Sequence, residues 1–207
     1  MSINGSTHWE TIFICLCLAL PALAGNTHNQ DNNSHPWMVE IHYIPALEIW
    51  PDKDLDEENN GIEMDIDLGT GHGYAVRAAY SEDGLHPQLL QSSSRSIGVF
   101  YLNSHHTNKH DETKSQAHLI LLDAAYEQML YPWISAQVSL GLGSLIMDYQ
   151  AYQRNDSGAA LMLRGGLNWR PTPQCALQAG IGWFYWGYPT ETIGSGMFGT
   201  VGGVLQF

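Results

Sequence analysis

The chain is short of cations, of cysteine and of long apolar runs, and each shortage removes a class of protein. Only 8 residues are Lys or Arg against 21 Asp or Glu in a chain of 207, for a formal net charge of −13. Phosphate backbones are held by basic stripes, so nucleic acid is excluded as a partner. The three cysteines are Cys15, Cys17 and Cys175. The first two fall in a segment expected to be removed, which leaves one thiol and no intramolecular disulfide. Neither is preceded by the Leu-(Ala/Ser)-(Gly/Ala) pattern of a lipoprotein signal. A spanning helix needs roughly 20 consecutive apolar residues, and the apolar core TIFICLCLAL at 11–20 is half of that. No segment is long enough to cross a bilayer as a helix.

What is present begins with that short core. Pro21 breaks it, and Ala22-Leu23-Ala24 supplies an A-x-A cleavage site, although residues 1–10 carry no Lys or Arg. The chain is therefore expected to divide into a signal peptide, 1–24, a polar Asn- and His-rich disordered leader, 25–36, and one domain, 37–207. Its 21 Gly, 7 Trp, 10 Tyr and 5 Phe favour sheet over helix, because aromatics suit strands and glycine is costly inside helices.

From Trp37 onward apolar residues recur at every second position, the period of a strand with unlike faces. Trp37, Val39, Ile41, Tyr43, Leu47 and Ile49 fall on one face, with Met38, Glu40, His42, Ala46 and Glu48 on the other. After an acidic stretch, Ile62, Met64, Ile66, Leu68, Tyr74, Val76, Ala78 and Tyr80 oppose Glu63, Asp65, Asp67, Gly69, Gly71, Gly73 and Arg77. A third strand near Arg95 to Asn103 is apolar on both faces. In a fourth, Gln116 to Leu130, Ile120, Leu122, Ala124 and Tyr126 oppose Asp123, Ala125 and Glu127, with Leu119 and Leu121 blurring the register. Four further strands alternate cleanly, and Arg164, Asn168, Arg170, Gln137 and Gln178 lie on their polar faces.

The links alternate too. Those at 51–61, 104–113, 150–157 and 189–194 are polar and long, whereas Tyr131-Pro132 and Pro171 to Gln174 are short, with Ser81 to Ser94 the long exception. Aromatics gather near strand ends: Trp37, Tyr80, Tyr131, Trp133 and Trp169 at the turn side, Trp50, Tyr149, Tyr185 and Tyr188 at the loop side. Only helices and closed barrels satisfy every backbone group in hydrocarbon, and tilted strands cross in roughly 9 to 11 residues. Short turns, long loops and two aromatic girdles are the pattern of an outer-membrane barrel. The fold class is all-β, an eight-stranded antiparallel up-and-down transmembrane barrel.

Residues 37–207 resemble the small eight-stranded outer-membrane barrels, such as the OmpA transmembrane domain, OmpX and OmpW. The most specific element is the last strand, Gly196 to Phe207, which ends in Phe with Leu205 and Val201 on its face, interrupted by Gly199 and Gly203. In such families a terminal aromatic is read by the barrel-assembly machinery, so the resemblance implies that partner for Phe207. It also implies location in the outer membrane, contact with its lipid and a monomer as the expected state; contact with lipopolysaccharide through divalent ions is an expectation from the architecture.

With the apolar face outward, a polar network of Glu40, Glu63, Asp65, Asp67, Arg77, Asp123, Glu127, Arg164 and Arg170, joined by His42 and Glu48, fills an interior just wide enough for side chains. Arginines pairing with carboxylates there would hold the barrel rigid; a conducting lumen would need a water path that these side chains block. His105, His106 and His110, with Asp111, are the candidates for a metal, but their spacing matches no zinc motif, and the expectation is no metal and no cofactor. The acidic loop around Asp52 to Glu58 lacks the order of ligands of an EF-hand. No G-x-S-x-G or His-x-Ser-Asn stretch accompanies His72 or His118, so no enzyme is expected. The function read from the residues is a non-enzymatic structural or interaction protein. The alternatives are a periplasmic lipocalin-like barrel with its apolar face inward, or a lipid-modifying enzyme.

Overall fold

The computed structural model describes residues 37–51, 68–81, 92–109, 112–149, 154–188 and 191–207. The expected signal peptide, the leader and the acidic stretch with Glu63, Asp65 and Asp67 lie outside these residues. Eight antiparallel strands run in chain order: β1 (Trp37–Pro51), β2 (Gly71–Ser81), β3 (Ser93–Thr107), β4 (Lys114–Tyr131), β5 (Ile134–Tyr149), β6 (Arg154–Thr172), β7 (Cys175–Tyr188) and β8 (Glu191–Gln206). Each pairs with its neighbours, and β8 pairs with β1 to close the barrel. At the seam the Phe207 amide donates to the Trp37 carbonyl at 2.9 Å, and the Trp37 amide donates back at 3.1 Å. Closure leaves no strand edge to be desolvated in lipid.

Following paired residues from Glu40 leads through Arg77, Phe100, Leu121, Gly143, Ala160, Trp186 and Gly194 back to β1 at Pro51. That is eleven positions along β1, one of which is the extra residue of a bulge between Ile44 and Leu47, so the stagger is ten residues. Ten residues of about 3.3 Å against eight strands spaced about 4.8 Å tilt the strands by about 40°. Walking from β1 towards β8 along paired residues therefore climbs towards the loop end.

The alternation read from sequence decides which residues face out. Ile97, Leu122 and Ile181 are 70%, 69% and 68% exposed, while Glu40, Arg77 and Arg164 on the other parity are buried. The bulge corrects one strand, because a single inserted residue reverses every later side chain. Leu47 and Ile49 point inward and Ala46 and Glu48 outward, opposite to the expected faces. Leu68 also turns inward, pairing with Asn108 by an isolated bridge outside the strand. Tyr149 is buried and belongs to the interior, not to the loop-side girdle, since odd-numbered β5 residues at this end face in. The second long link is shorter than its polarity suggests, because β3 continues through His105 to Thr107.

At the turn end, Pro132 and Trp133 connect β4 to β5, and Trp133 has φ 70°. A proline followed by a residue of positive φ is the arrangement of a type II turn, which here leaves an aromatic at the barrel end.

Candidate functional site

The interior has two tiers, and side-chain size explains their arrangement. In the turn-side half, charged side chains from four strands meet. Glu40 on β1 accepts from Arg77 Nη1 on β2 at 3.0 Å, from Arg164 Nη2 on β6 at 2.8 Å and from Gln137 Nε2 on β5 at 3.1 Å. Its neighbour His42 lies 3.1 Å away through Nε2. Arg77 continues the chain, donating from Nε to Asp123 Oδ1 on β4 at 2.7 Å and from Nη2 to Ser96 Oγ at 2.9 Å. These bonds cross the lumen from wall to wall. Gln178 donates to Gln137, and the space beside Gln137, Arg164, Gln178 and Thr200 admits no water-sized sphere.

A second ion pair lies nearer the turns. Glu127 accepts from Arg170 Nε at 3.0 Å and Nη2 at 2.7 Å, from Asn168 at 2.6 Å and from Ser135. Arg77, Arg164 and Arg170 thus face Glu40, Asp123 and Glu127 one for one, so the grouping is neutral and the net charge of −13 arises elsewhere in the chain. Charges taken out of water are tolerable only when so matched. Met38, Ala79, Ala176 and Val204 form a small apolar group of their own.

Above the ions the interior is apolar, which the sequence reading did not anticipate. Ile44, Leu47, Leu102, Leu119, Leu121, Leu145, Phe184, Trp186 and Phe198 pack in one cluster with Phe100. The Phe100 ring stacks on Phe198 with centroids 6.4 Å apart, and the Arg164 guanidinium sits 5.0 Å from the Phe100 centroid. That cation–π contact joins the tiers. Rings this large fit an eight-stranded barrel because a glycine stands directly beside each on the neighbouring strand, Gly182 across from Phe198 and Gly196 across from Phe184. A Cβ on Gly182 would collide with the Phe198 ring, and one on Gly196 with the Phe184 ring. Gly182→Val is accordingly expected to cost about 1–3 kcal/mol by overpacking, read as a lower urea midpoint in detergent micelles. The signal was present in the two apolar faces of β3 and in Leu119 and Leu121, which had no lipid-facing reason to be apolar.

The histidines divide between the two sides of the wall. His105 is exposed and paired with His72, their rings 6.4 Å apart. His106 points inward, with Ser104 Oγ at 3.0 Å and the Gly69 carbonyl at 3.2 Å. His110 lies outside the described residues, and among the described ones no three His, Cys, Asp or Glu side chains converge as a metal site would require. On the outer face, His118 Nδ1 accepts from Asn103 Nδ2 at 3.0 Å, with the Tyr101 hydroxyl at 2.9 Å. Outward-facing Trp37, Tyr80 and Trp169 ring the turn end, and Trp37 meets Tyr80 edge to face at 5.5 Å.

A closed eight-stranded barrel with an apolar outer wall, a filled lumen and aromatics at its rim defines the class: a small outer-membrane β-barrel. Among solved structures, the chain is similar to neisserial surface protein A, NspA, with a TM-score of 0.53 at 14% identity, over 83% of this chain and 97% of that one. Ail, the attachment invasion locus protein of Yersinia pestis, aligns over 83% of this chain and 99% of its own at 12% identity and a TM-score of 0.49. OprG of Pseudomonas aeruginosa aligns over 86% and 98% at 8% identity, also at 0.49. No protein-family model and no curated protein sequence matches the chain. The likeness is one of fold.

Proposed function

We propose that this protein is a non-conducting, non-enzymatic component of the bacterial outer membrane, a rigid monomeric wall whose work is done by its outer surface and its loops. The observation that carries this reading is the set of bonds from Arg77, Arg164 and Gln137 to Glu40, which tie four strands together across the lumen beneath an apolar plug. An interior so crossed serves rigidity and offers no ion path.

Outward Ile97, Leu122 and Ile181 support lipid as the solvent of the wall, against a lipocalin-like carrier that would keep such residues inside. His118 engages Tyr101 and Asn103, not a serine hydroxyl, which supports a non-catalytic role. Phe207, exposed beside the closing seam, is the residue we assign to the assembly machinery. Reconstitution in planar bilayers is the test. The expected trace is indistinguishable from that of the bare membrane, and regular ion-conducting steps would overturn the proposal.

A further inference from the structure

The outer wall carries one feature that a lipid-exposed face does not need for solubility in hydrocarbon. A groove of about 520 Å³ opens on the flank of β3 to β6. Its floor is Ala124, a small residue set between Leu122 and Tyr126 on β4, and its sides are Ile97 on β3 and Leu140 on β5, paired directly across from Ala124. The row continues to Leu163 on β6. Arg95 stands at the lower mouth, exposed, paired with Tyr126 and one row below Tyr80 and Ile97. Among the described residues it is the charged side chain that faces outward in the turn-side half.

Location turns this into a site for a particular chemistry. Arg95 lies two residues after the start of β3, level with the aromatic rim, where a guanidinium meets headgroups and not acyl chains. From there the groove crosses three inter-strand steps, about 14 Å, and climbs into the apolar band because paired rows rise towards the loop end. A cation at the rim and an apolar trough leading inward from it match an anionic head with a long hydrocarbon tail. A guanidinium binds phosphate oxygens through two parallel N–H donors, and Tyr80 and Tyr126 flank that position with rings suited to the interface.

We infer that Arg95 and the Ala124 groove form a binding site for a single glycerophospholipid of the leaflet at the turn end, its phosphate on Arg95 and one acyl chain over Ala124 towards Leu163. The inference rests on the outward face being the lipid face. Native mass spectrometry of the full chain released from detergent micelles tests it, with palmitoyl-oleoyl phosphatidylglycerol, the diacylglycerol of the same chains, inorganic phosphate and lipid A as separate probes. One phosphatidylglycerol is expected to stay bound. Arg95→Gln should lower its retention roughly tenfold or more, as loss of a charge-assisted contact implies. Ala124→Trp should abolish retention by filling the trough, with both variants keeping the heat-dependent gel shift of a folded barrel. Diacylglycerol held as tightly as phosphatidylglycerol, preferential binding of lipid A or of free phosphate, or wild-type retention by Arg95→Gln would each overturn the site. Failure of the membrane reading shows separately, as a protein that remains monodisperse without detergent.

Discussion

Glu40→Ala is expected to destabilise the barrel by about 3–5 kcal/mol, the range seen when one partner of a buried ion pair is removed. The cost is large because one carboxylate serves four partners. Removal leaves the Arg164 and Arg77 guanidiniums, both buried, to share only Asp123 and neutral groups such as Ser96 and Ser139. The measurement is equilibrium urea unfolding in micelles, paired with the triple variant Glu40→Leu, Arg77→Met, Arg164→Met. Apolar replacement of a whole buried network is often neutral or stabilising, so the triple variant should recover most of the loss. A Glu40→Ala midpoint within about 0.5 kcal/mol of the parent, the size of an ordinary surface substitution, would show that the cluster is wetted and contributes little.

Ile181→Arg is expected to cost about 2–4 kcal/mol in phospholipid vesicles, the penalty of a cation facing lipid at mid-depth. Ile181 is 68% exposed in the middle of β7, so in water the same change would be nearly free. Leu177 provides the control within one strand. It also faces outward but lies two residues from the start of β7, so Leu177→Arg should cost only about 0–1 kcal/mol near the interface. Equal and small effects at both positions would mean that this face is in water, and the membrane orientation would fall with them.

These two results address the two sides of one wall, and the sides were unequally legible. The outer side could be read almost residue by residue in β5 to β8, because Leu140, Leu163 and Ile181 alternate with Ser139, Arg164 and Gly182 and the contrast has period two. The ion partners were legible as a set but not as pairs. That Arg77 on β2 reaches Asp123 on β4, and that Arg164 on β6 reaches across to Glu40 on β1, depends on closure and stagger, which no local pattern encodes. In β3 the contrast fails: Val99 faces lipid and Phe100 packs in the lumen, and hydropathy does not separate two apolar environments. His105 and His106 likewise stood together as neighbours in a polar stretch until the strand carried them to opposite sides of the wall.

Period-two hydrophobicity, the absence of any helix-length apolar run and the spacing of turns and loops were sufficient for a closed eight-stranded barrel with its greasy face outward, since hydrocarbon leaves the backbone few ways to pair. Tertiary structure alone decided what fills the barrel and where. The bulge between Ile44 and Leu47 reversed the end of β1, and glycines at 182 and 196 made room for Phe198 and Phe184. Both are set by the pairing of whole strands, β1 with β2 and β8, and β7 with β8, where the room for one side chain is defined only by another.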